Sequence, residues 1–146
     1  MNREQKDLLL KELCARLPYG VKCDIGDDNK PYTLCRVEID NKNGHLLDFI
    51  ETKNGLNMQV YLSEVKPYLL PISSSTKEQV EEFYNKFVKK EIDFDVFKKY
   101  YFENNALDKL LTLINDCKNV FDWFYKKHID CFGFIDMGLA KNATNL

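Results

Sequence analysis

Residues 35–62, CRVEIDNKNGHLLDFIETKNGLNMQVYL, are the stretch on which the fold prediction depends. Apolar residues alternate with polar ones on either side of two short polar segments, NKNG and KNG. Alternation with a period of two is typical of strands that bury one face, and Asn-Gly pairs readily adopt the positive φ of tight hairpin turns. The stretch therefore predicts three antiparallel strands joined by hairpins.

The same alternation extends in both directions along the chain. A further strand is predicted before residue 26, and KPYLLP at 66–71 predicts a short fifth strand. The predicted inward positions are Tyr19, Val21, Cys23 and Ile25, then Cys35, Val37 and Ile39, then Leu47 and Phe49, then Met58, Val60 and Leu62. Short strands joined by hairpins tend to curl, so residues 19–71 are expected to form a small antiparallel SH3-like β-barrel.

Helical spacing replaces the alternation on both sides of this region. Leu9, Leu13 and Leu17 predict an N-terminal helix that Pro18 ends. After residue 71 three helices are expected. Their apolar positions are Val80, Phe83, Tyr84, Phe87 and Val88 behind a Thr76/Gln79 capping box, then Phe94, Phe97 and Tyr101, then a wide stripe from Ala106 to Tyr125.

These patterns predict the α+β class with an N-terminal helix, the barrel and a C-terminal three-helix partial bundle. Residues 1–71 would form the helix and barrel, and residues 72–146 a helical region packed on them as one compact unit. A chain of 146 residues is long enough to bury a core without disulfides.

The charge of the chain does not indicate a class of function. The net charge is −2, and no segment of the chain is distinctly basic. Nucleic-acid binding usually requires a basic stripe, so it is an alternative that would use the barrel face and not the first expectation.

Five cysteines without a Cys-x-x-Cys pair indicate reduced thiols, and MNREQKDLLLKEL lacks the apolar core of a signal peptide. The expected location is the cytoplasm. No run is long enough for a membrane span, and no phosphate loop, dinucleotide fingerprint or nucleophile elbow is present. No membrane association and no cofactor are therefore expected.

The segment KKHIDCFG places His128, Asp130 and Cys131 within four residues. Cys131 is a candidate nucleophile because a helix N-terminus would activate its thiol, but the base that it needs would have to be His128, only three residues away, or His45. A buried inert thiol is favoured. His128 and Cys131 supply too few ligands for zinc, and the aspartates are explained by turns as readily as by a catalytic carboxylate pair.

Tyr100, Tyr101 and Phe102 point three aromatic rings in three directions from one helix, so one of them should be exposed. An exposed aromatic residue is a common anchor for a protein partner. These residues and the edge strand of the barrel are the predicted partner-binding surfaces.

Three stretches together, LCARLPYGVK (13–22), VKPYLLPISSST (65–76) and DWFYKKHIDCFGFIDMGLA (122–140), resemble a family of small proteins encoded in phages and prophages of Bacteroidetes. The resemblance implies a phage-borne gene but no particular activity. His128, Asp130 and Gly133 match the family pattern, whereas Cys131-Phe132 replaces its Tyr-Arg, which weakens Cys131 as a nucleophile. His128, Asp130 and Gly133 are therefore interpreted as a helix stop with its capping network.

A small phage-borne protein without enzymatic motifs is expected to act by stoichiometric binding to a protein, for instance by inhibiting a host defence complex in the manner of an anti-CRISPR protein. The nucleic-acid-binding accessory protein is one alternative. The other is an enzyme that uses Cys131 or a carboxylate pair.

Overall fold

A computed structural model of the chain describes residues 1–26, 30–39, 45–51, 55, 57–88, 92–99, 117–144 and 146. The protein belongs to the predicted α+β class. Its helices are α1 (Arg3–Arg16), α2 (Lys77–Phe87), α3 (Phe94–Phe97) and α4 (Cys117–Lys126), and its strands are β1 (Lys22–Ile25), β2 (Tyr32–Glu38), β3 (Leu46–Glu51), β4 (Asn57–Tyr61), β5 (Val65–Pro71), β6 (Ile129–Asp130) and β7 (Lys141–Asn142). None of the helices in the described ranges is long and apolar enough to cross a membrane.

The N-terminal helix α1 is confirmed, with a capping box at its start and a 3-10 turn at its end. The side-chain oxygen of Asn2 accepts a hydrogen bond from the Gln5 amide at 2.8 Å, and the Gln5 side chain accepts one from the Asn2 amide at 2.9 Å. The chain then turns through Leu17–Tyr19 to Gly20, whose φ of 66° suits a residue without a Cβ. Leu9 and Leu13 are fully buried against the sheet.

Strands β1 to β4 form an antiparallel meander, and β5 pairs antiparallel with β1, so the spatial order is β4-β3-β2-β1-β5. The predicted fifth strand is present and pairs with β1, with Cys23 opposite Pro67. Leu47 and Phe49 of β3 and Val21, Cys23 and Ile25 around β1 point into the core as predicted.

The predicted closure of this sheet into an SH3-like barrel is wrong. In the described part of the chain β4 pairs with β3 alone. Besides β1, strand β5 pairs in parallel with β6 through Leu70 and Pro71 and with β7 through Tyr68 and Leu69. The described residues show no ladder between β4 and β5, so the sheet stays open and β4 lies at its edge.

Strand β2 also departs from the predicted alternation. A bulge between Leu34 and Arg36 shifts its register against β3. Tyr32 and Leu34 are buried before the bulge, so Cys35 is exposed, whereas Val37 packs against the core after it. Ile39 follows the end of β2 and is 61% exposed, so the predicted inward positions Cys35 and Ile39 are wrong. A bulge adds one residue to a strand and thereby moves the following side chains to the other face.

The C-terminal helices match the prediction in part. Helix α2 has the predicted capping box and buries Val80, Phe83 and Phe87, but α3 comprises only four residues. The third predicted helix, from Ala106, is described only from Cys117 onward, and Tyr101 lies outside the described residues. Helices α2 and α4 pack through aromatic rings, with the Phe83 centroid 5.1 Å from that of Trp123.

Two clusters of buried residues form the core. The first lies between α1 and one face of the sheet, and the second lies among α2, α3 and α4. Phe134, Leu139 and Ala140, from the C-terminal half of the chain, belong to the first cluster. Residues from both sides of position 71 therefore share the first cluster.

Candidate functional site

The most unusual side chain of the interior is Arg16, which is fully buried at the last turn of α1. Its guanidinium forms an ion pair with the buried carboxylate of Glu12, one helical turn earlier. It also donates to the main-chain carbonyl of Ile129 at 2.7 Å and to those of Phe124 and Tyr125 at 3.4 Å each. The last carbonyls of a helix have no partner within the helix, so Arg16 caps the C-terminal end of α4 from another helix.

The charges of Arg16 and Glu12 are both buried, and burial changes the pKa values of the groups around them. Burial raises the pKa of Glu12, the Arg16 guanidinium opposes the rise, and the charge of Asp130 adds to it. The Arg16 guanidinium carbon lies 5.1 Å from the centroid of the Tyr125 ring, and burial raises the pKa of Tyr125 to about 12. Arg16 and Glu12 thus hold α1 to the end of α4.

Asp130 and Gly133 form the turn that follows α4. The Asp130 carboxylate is buried and accepts hydrogen bonds from the amides of Phe134 at 2.9 Å and Ile135 at 2.8 Å. Gly133 has a φ of 74°, which L side chains rarely adopt. Both residues therefore shape the backbone of the turn.

His128 lies two residues after the end of α4 and has a φ of 54°, the one non-glycine residue at positive φ in the described ranges. Its amide donates to the Tyr125 carbonyl at 3.1 Å, and its carbonyl accepts from the Leu70 amide at 2.9 Å. Its Nδ1 is buried without a hydrogen-bond partner. Burial lowers the pKa of the ring, and the nearby charges of Arg16 and Lys22 lower it further, while a main-chain hydrogen bond at Tyr19 opposes the shift.

Cys131 is buried in the second core cluster. Burial raises the pKa of its thiol well above the usual value, and the charge of Glu12 acts in the same direction. A nucleophilic cysteine requires the opposite shift. Within the described ranges no three His, Cys, Asp or Glu side chains are grouped so that they could hold a metal ion.

The aspartates of the first half do not form a described carboxylate pair. Asp24 is buried on β1 and forms an ion pair with Lys141 at 2.5 Å. Asp27 and Asp28 lie outside the described residues.

The three stretches that carry the family resemblance meet in space. Residues 13–22 supply Arg16, residues 65–76 supply β5, and residues 122–140 supply the α4 end that Arg16 caps and the strand β6 that pairs with β5. Sequence reasoning missed Glu12 and Arg16. Their signal was present, because both fall on the buried face of α1 beside Leu9 and Leu13 and stand four residues apart.

The predicted partner anchors Tyr100, Tyr101 and Phe102 lie outside the described residues. The other predicted surface, the edge strand, is β4, whose side chains are largely exposed. The Leu62 amide donates to the His45 carbonyl at 3.1 Å. This hydrogen bond shows which residues of β4 direct their main-chain groups toward β3. Because neighbouring residues of a strand point their main-chain groups to opposite sides, Met58 and Val60 bond to β3, while Asn57, Gln59 and Tyr61 direct theirs away from the sheet.

The sequence of β4, NMQVY, contains no charged residue and no proline. Natural sheets usually protect an exposed edge with lysine, proline or a covering segment. One end of β4 is blocked, because the Glu64 carboxylate accepts a hydrogen bond from the Tyr61 amide at 3.1 Å. Among the described residues, the outward groups of β4 without a partner are thus the amide and carbonyl of Asn57, those of Gln59, and the carbonyl of Tyr61.

The two faces beside this edge differ in polarity. Met58 lies opposite Phe49, and Val60 opposite Leu47, so both are on the core side of the sheet. On the outer side Gln59 Nε2 donates to Asp48 at 2.9 Å, and Asp48 lies 3.5 Å from Arg36. A strand added here would meet an apolar row on one face and a polar row on the other.

No protein-family model matches the chain, and neither a curated protein nor a solved structure shows significant similarity to it. The geometry of the described residues therefore carries the functional proposal.

Proposed function

We propose that this protein acts by stoichiometric binding to a protein partner that adds an extended strand to β4. The observation that carries the proposal is the exposed, uncharged edge with outward main-chain groups at Asn57 and Gln59. Strand addition derives its affinity from main-chain hydrogen bonds and its specificity from alternate side chains. Edge β4 offers outward main-chain groups for such hydrogen bonds. It also offers Met58 and Val60, which continue the row of core side chains to the edge of the sheet.

The resemblance to small phage and prophage proteins supports a host defence complex, such as a CRISPR effector, as the class of partner inside the bacterial cell. Inhibition by occupying a surface needs no catalytic group. The raised pKa of the Cys131 thiol also favours binding over nucleophilic catalysis.

The test is a pull-down of the tagged protein from cells of its natural host, with and without nuclease, followed by mass spectrometry. Two variants are compared with the wild type. Gln59→Pro removes an outward amide that makes no ladder bond, and Gln59→Ala removes the side chain but keeps that amide. We expect a nuclease-resistant partner with the wild type and with Gln59→Ala, and a recovery about tenfold lower with Gln59→Pro.

Circular dichroism and thermal unfolding of both variants control for the fold. Equal recovery of the partner with Gln59→Pro would overturn the role of β4. Recovery of nucleic acid alone, lost after nuclease treatment, would overturn the protein-partner proposal in favour of nucleic-acid binding.

A further inference from the structure

Edge β4 is complementary to itself. Its side chains alternate between an apolar pair on the core side, Met58 and Val60, and a polar set on the outer side, Asn57, Gln59 and Tyr61. An extended segment that fits this edge must have the same alternation, because its apolar residues must cover Met58 and Val60. One segment with that pattern is β4 of a second copy of the chain.

The main-chain groups of two such strands also match when they run antiparallel about Gln59. Each Gln59 would donate to and accept from the other, and each Asn57 amide would reach the Tyr61 carbonyl of the second copy. In this register the Asn57 carbonyl of the second copy would take the place of the Glu64 carboxylate at the Tyr61 amide, so self-pairing requires the Glu64 side chain to leave that amide. Glu64 is exposed, and its side chain can turn into solvent.

The same register brings like surfaces together without a charge clash. Met58 of one copy would lie opposite Val60 of the other on the core side, and the two Gln59 side chains would meet on the outer side. Asp48 is one strand further in on each copy. The two Asp48 carboxylates would thus be about 14 Å apart, at roughly 4.8 Å per strand, beyond the Debye length of about 8 Å at physiological salt.

We propose that a second copy of this chain covers β4 when no other partner is bound, so that two sheets join into one across a two-fold axis. This inference rests on the proposed function, because self-pairing and partner binding would compete for the same edge. Such a contact is isologous and closes after two copies, so it does not lead to filaments. Five residues per strand bury little area, and the dimer is therefore weak and dependent on concentration.

The experiment is sedimentation equilibrium of the purified protein from about 5 μM to about 500 μM, the range in which a weak contact of this size dissociates. The wild type and Gln59→Ala are expected to shift from monomer toward dimer over this range. Gln59→Pro and Met58→Lys are expected to remain monomeric, the first through the lost amide and the second through a charge on the apolar row.

A wild type that is monomeric throughout, or a dimer that Gln59→Pro leaves unchanged, would overturn the inference. A protein that is monomeric but still captures its partner through β4 would contradict self-pairing and support the proposed function. A β4 dimer that captures no partner would support self-pairing and contradict the proposed function.

Discussion

A buried arginine is the residue on which the junction of α1 and α4 depends. Arg16 has no exposed surface, and its guanidinium donates its hydrogen bonds to Glu12 and three main-chain carbonyls instead of to water. Removal of one member of a buried ion pair leaves the other charge without a partner in a medium of low dielectric constant. The three stretches of the resemblance meet at this point of the molecule.

Arg16→Met is expected to lower the free energy of unfolding by about 3–5 kcal/mol, because Glu12 and the end of α4 both lose their partner. The double variant Glu12→Leu/Arg16→Met should recover part of that loss. Urea unfolding measures both. Arg36→Met is the control, since Arg36 is 63% exposed and its ion pairs are worth about 0–1 kcal/mol. A loss in Arg16→Met no larger than in Arg36→Met would contradict this role.

His128 is expected to make the stability depend on pH. Its pKa in the folded protein is lowered, so the unfolded chain, with a pKa of about 6.5, binds the proton more readily. Stability contributed by neutral His128 is therefore present above that value and is lost as the pH falls below it. Burial and the charges of Arg16 and Lys22 disfavour its charged form.

The measurement is chemical unfolding between about pH 7.5 and about pH 5, for the wild type and His128→Asn. Asparagine tolerates positive φ and does not titrate in this range. The wild type should lose stability relative to the variant as the pH falls. Parallel curves would show that His128 does not contribute to the pH dependence.

The thiols should differ in reactivity according to burial. Cys14 and Cys35 are exposed free thiols, whereas Cys23 and Cys131 are buried and their pKa values are raised well above the usual value. Iodoacetamide should therefore modify Cys14 and Cys35 first and reach the other two only after unfolding, as peptide mass spectrometry would show. Fast modification of Cys131 in the folded protein would support the alternative that the protein is an enzyme with Cys131 as its nucleophile.

At the scale of the element, local sequence accounts for the helix starts. The Thr76 side chain accepts from the Gln79 amide at 3.3 Å, and the Gln79 side chain accepts from the Thr76 amide at 2.8 Å. Local sequence does not account for β2, where the bulge after Leu34 depends on the pairing with β3. An element's beginning is thus a local property, while its register belongs to a pair of elements.

Thr76→Ala is expected to destabilise the protein by about 1 kcal/mol, because the Gln79 amide at the start of α2 loses its acceptor. Ser73→Ala, at an exposed position three residues earlier, serves as the matched control and should change stability by less than about 0.5 kcal/mol. Thermal or urea unfolding distinguishes the two. Equal effects of both substitutions would argue against the cap.

At the scale of the whole molecule, the C-terminal segment joins the two halves of the chain. Strands β6 and β7 pair with β5, and Phe134, Leu139 and Ala140 complete the first core cluster. Lys141 neutralises the buried Asp24 of β1. The first cluster therefore cannot be completed by residues 1–71 alone.

The two clusters should consequently unfold together. Trp123 is the single tryptophan and lies in the second cluster, whereas far-ultraviolet circular dichroism reports on all helices and strands. Fluorescence and dichroism should show one coincident transition in urea. Two separated transitions would indicate two independent domains divided near residue 71.

The sequence by itself determined the α+β class, the N-terminal helix, the order of the antiparallel strands and the start of α2. These features depend on periodicity, turn residues and caps within one segment, and such patterns are visible in a single chain. It also predicts that the edge strand binds a partner, but it does not say which main-chain groups of that strand point outward.

Only the tertiary structure decided that the sheet stays open, that β2 carries a bulge, and that Arg16 caps α4. Each of these depends on groups far apart in sequence: β5 meets β6 and β7, β2 meets β3, and Arg16 reaches a carbonyl 113 residues away. Which distant segments pair depends on the surfaces that come together when the loops close and the core is buried. No period of two or of 3.6 residues encodes that choice.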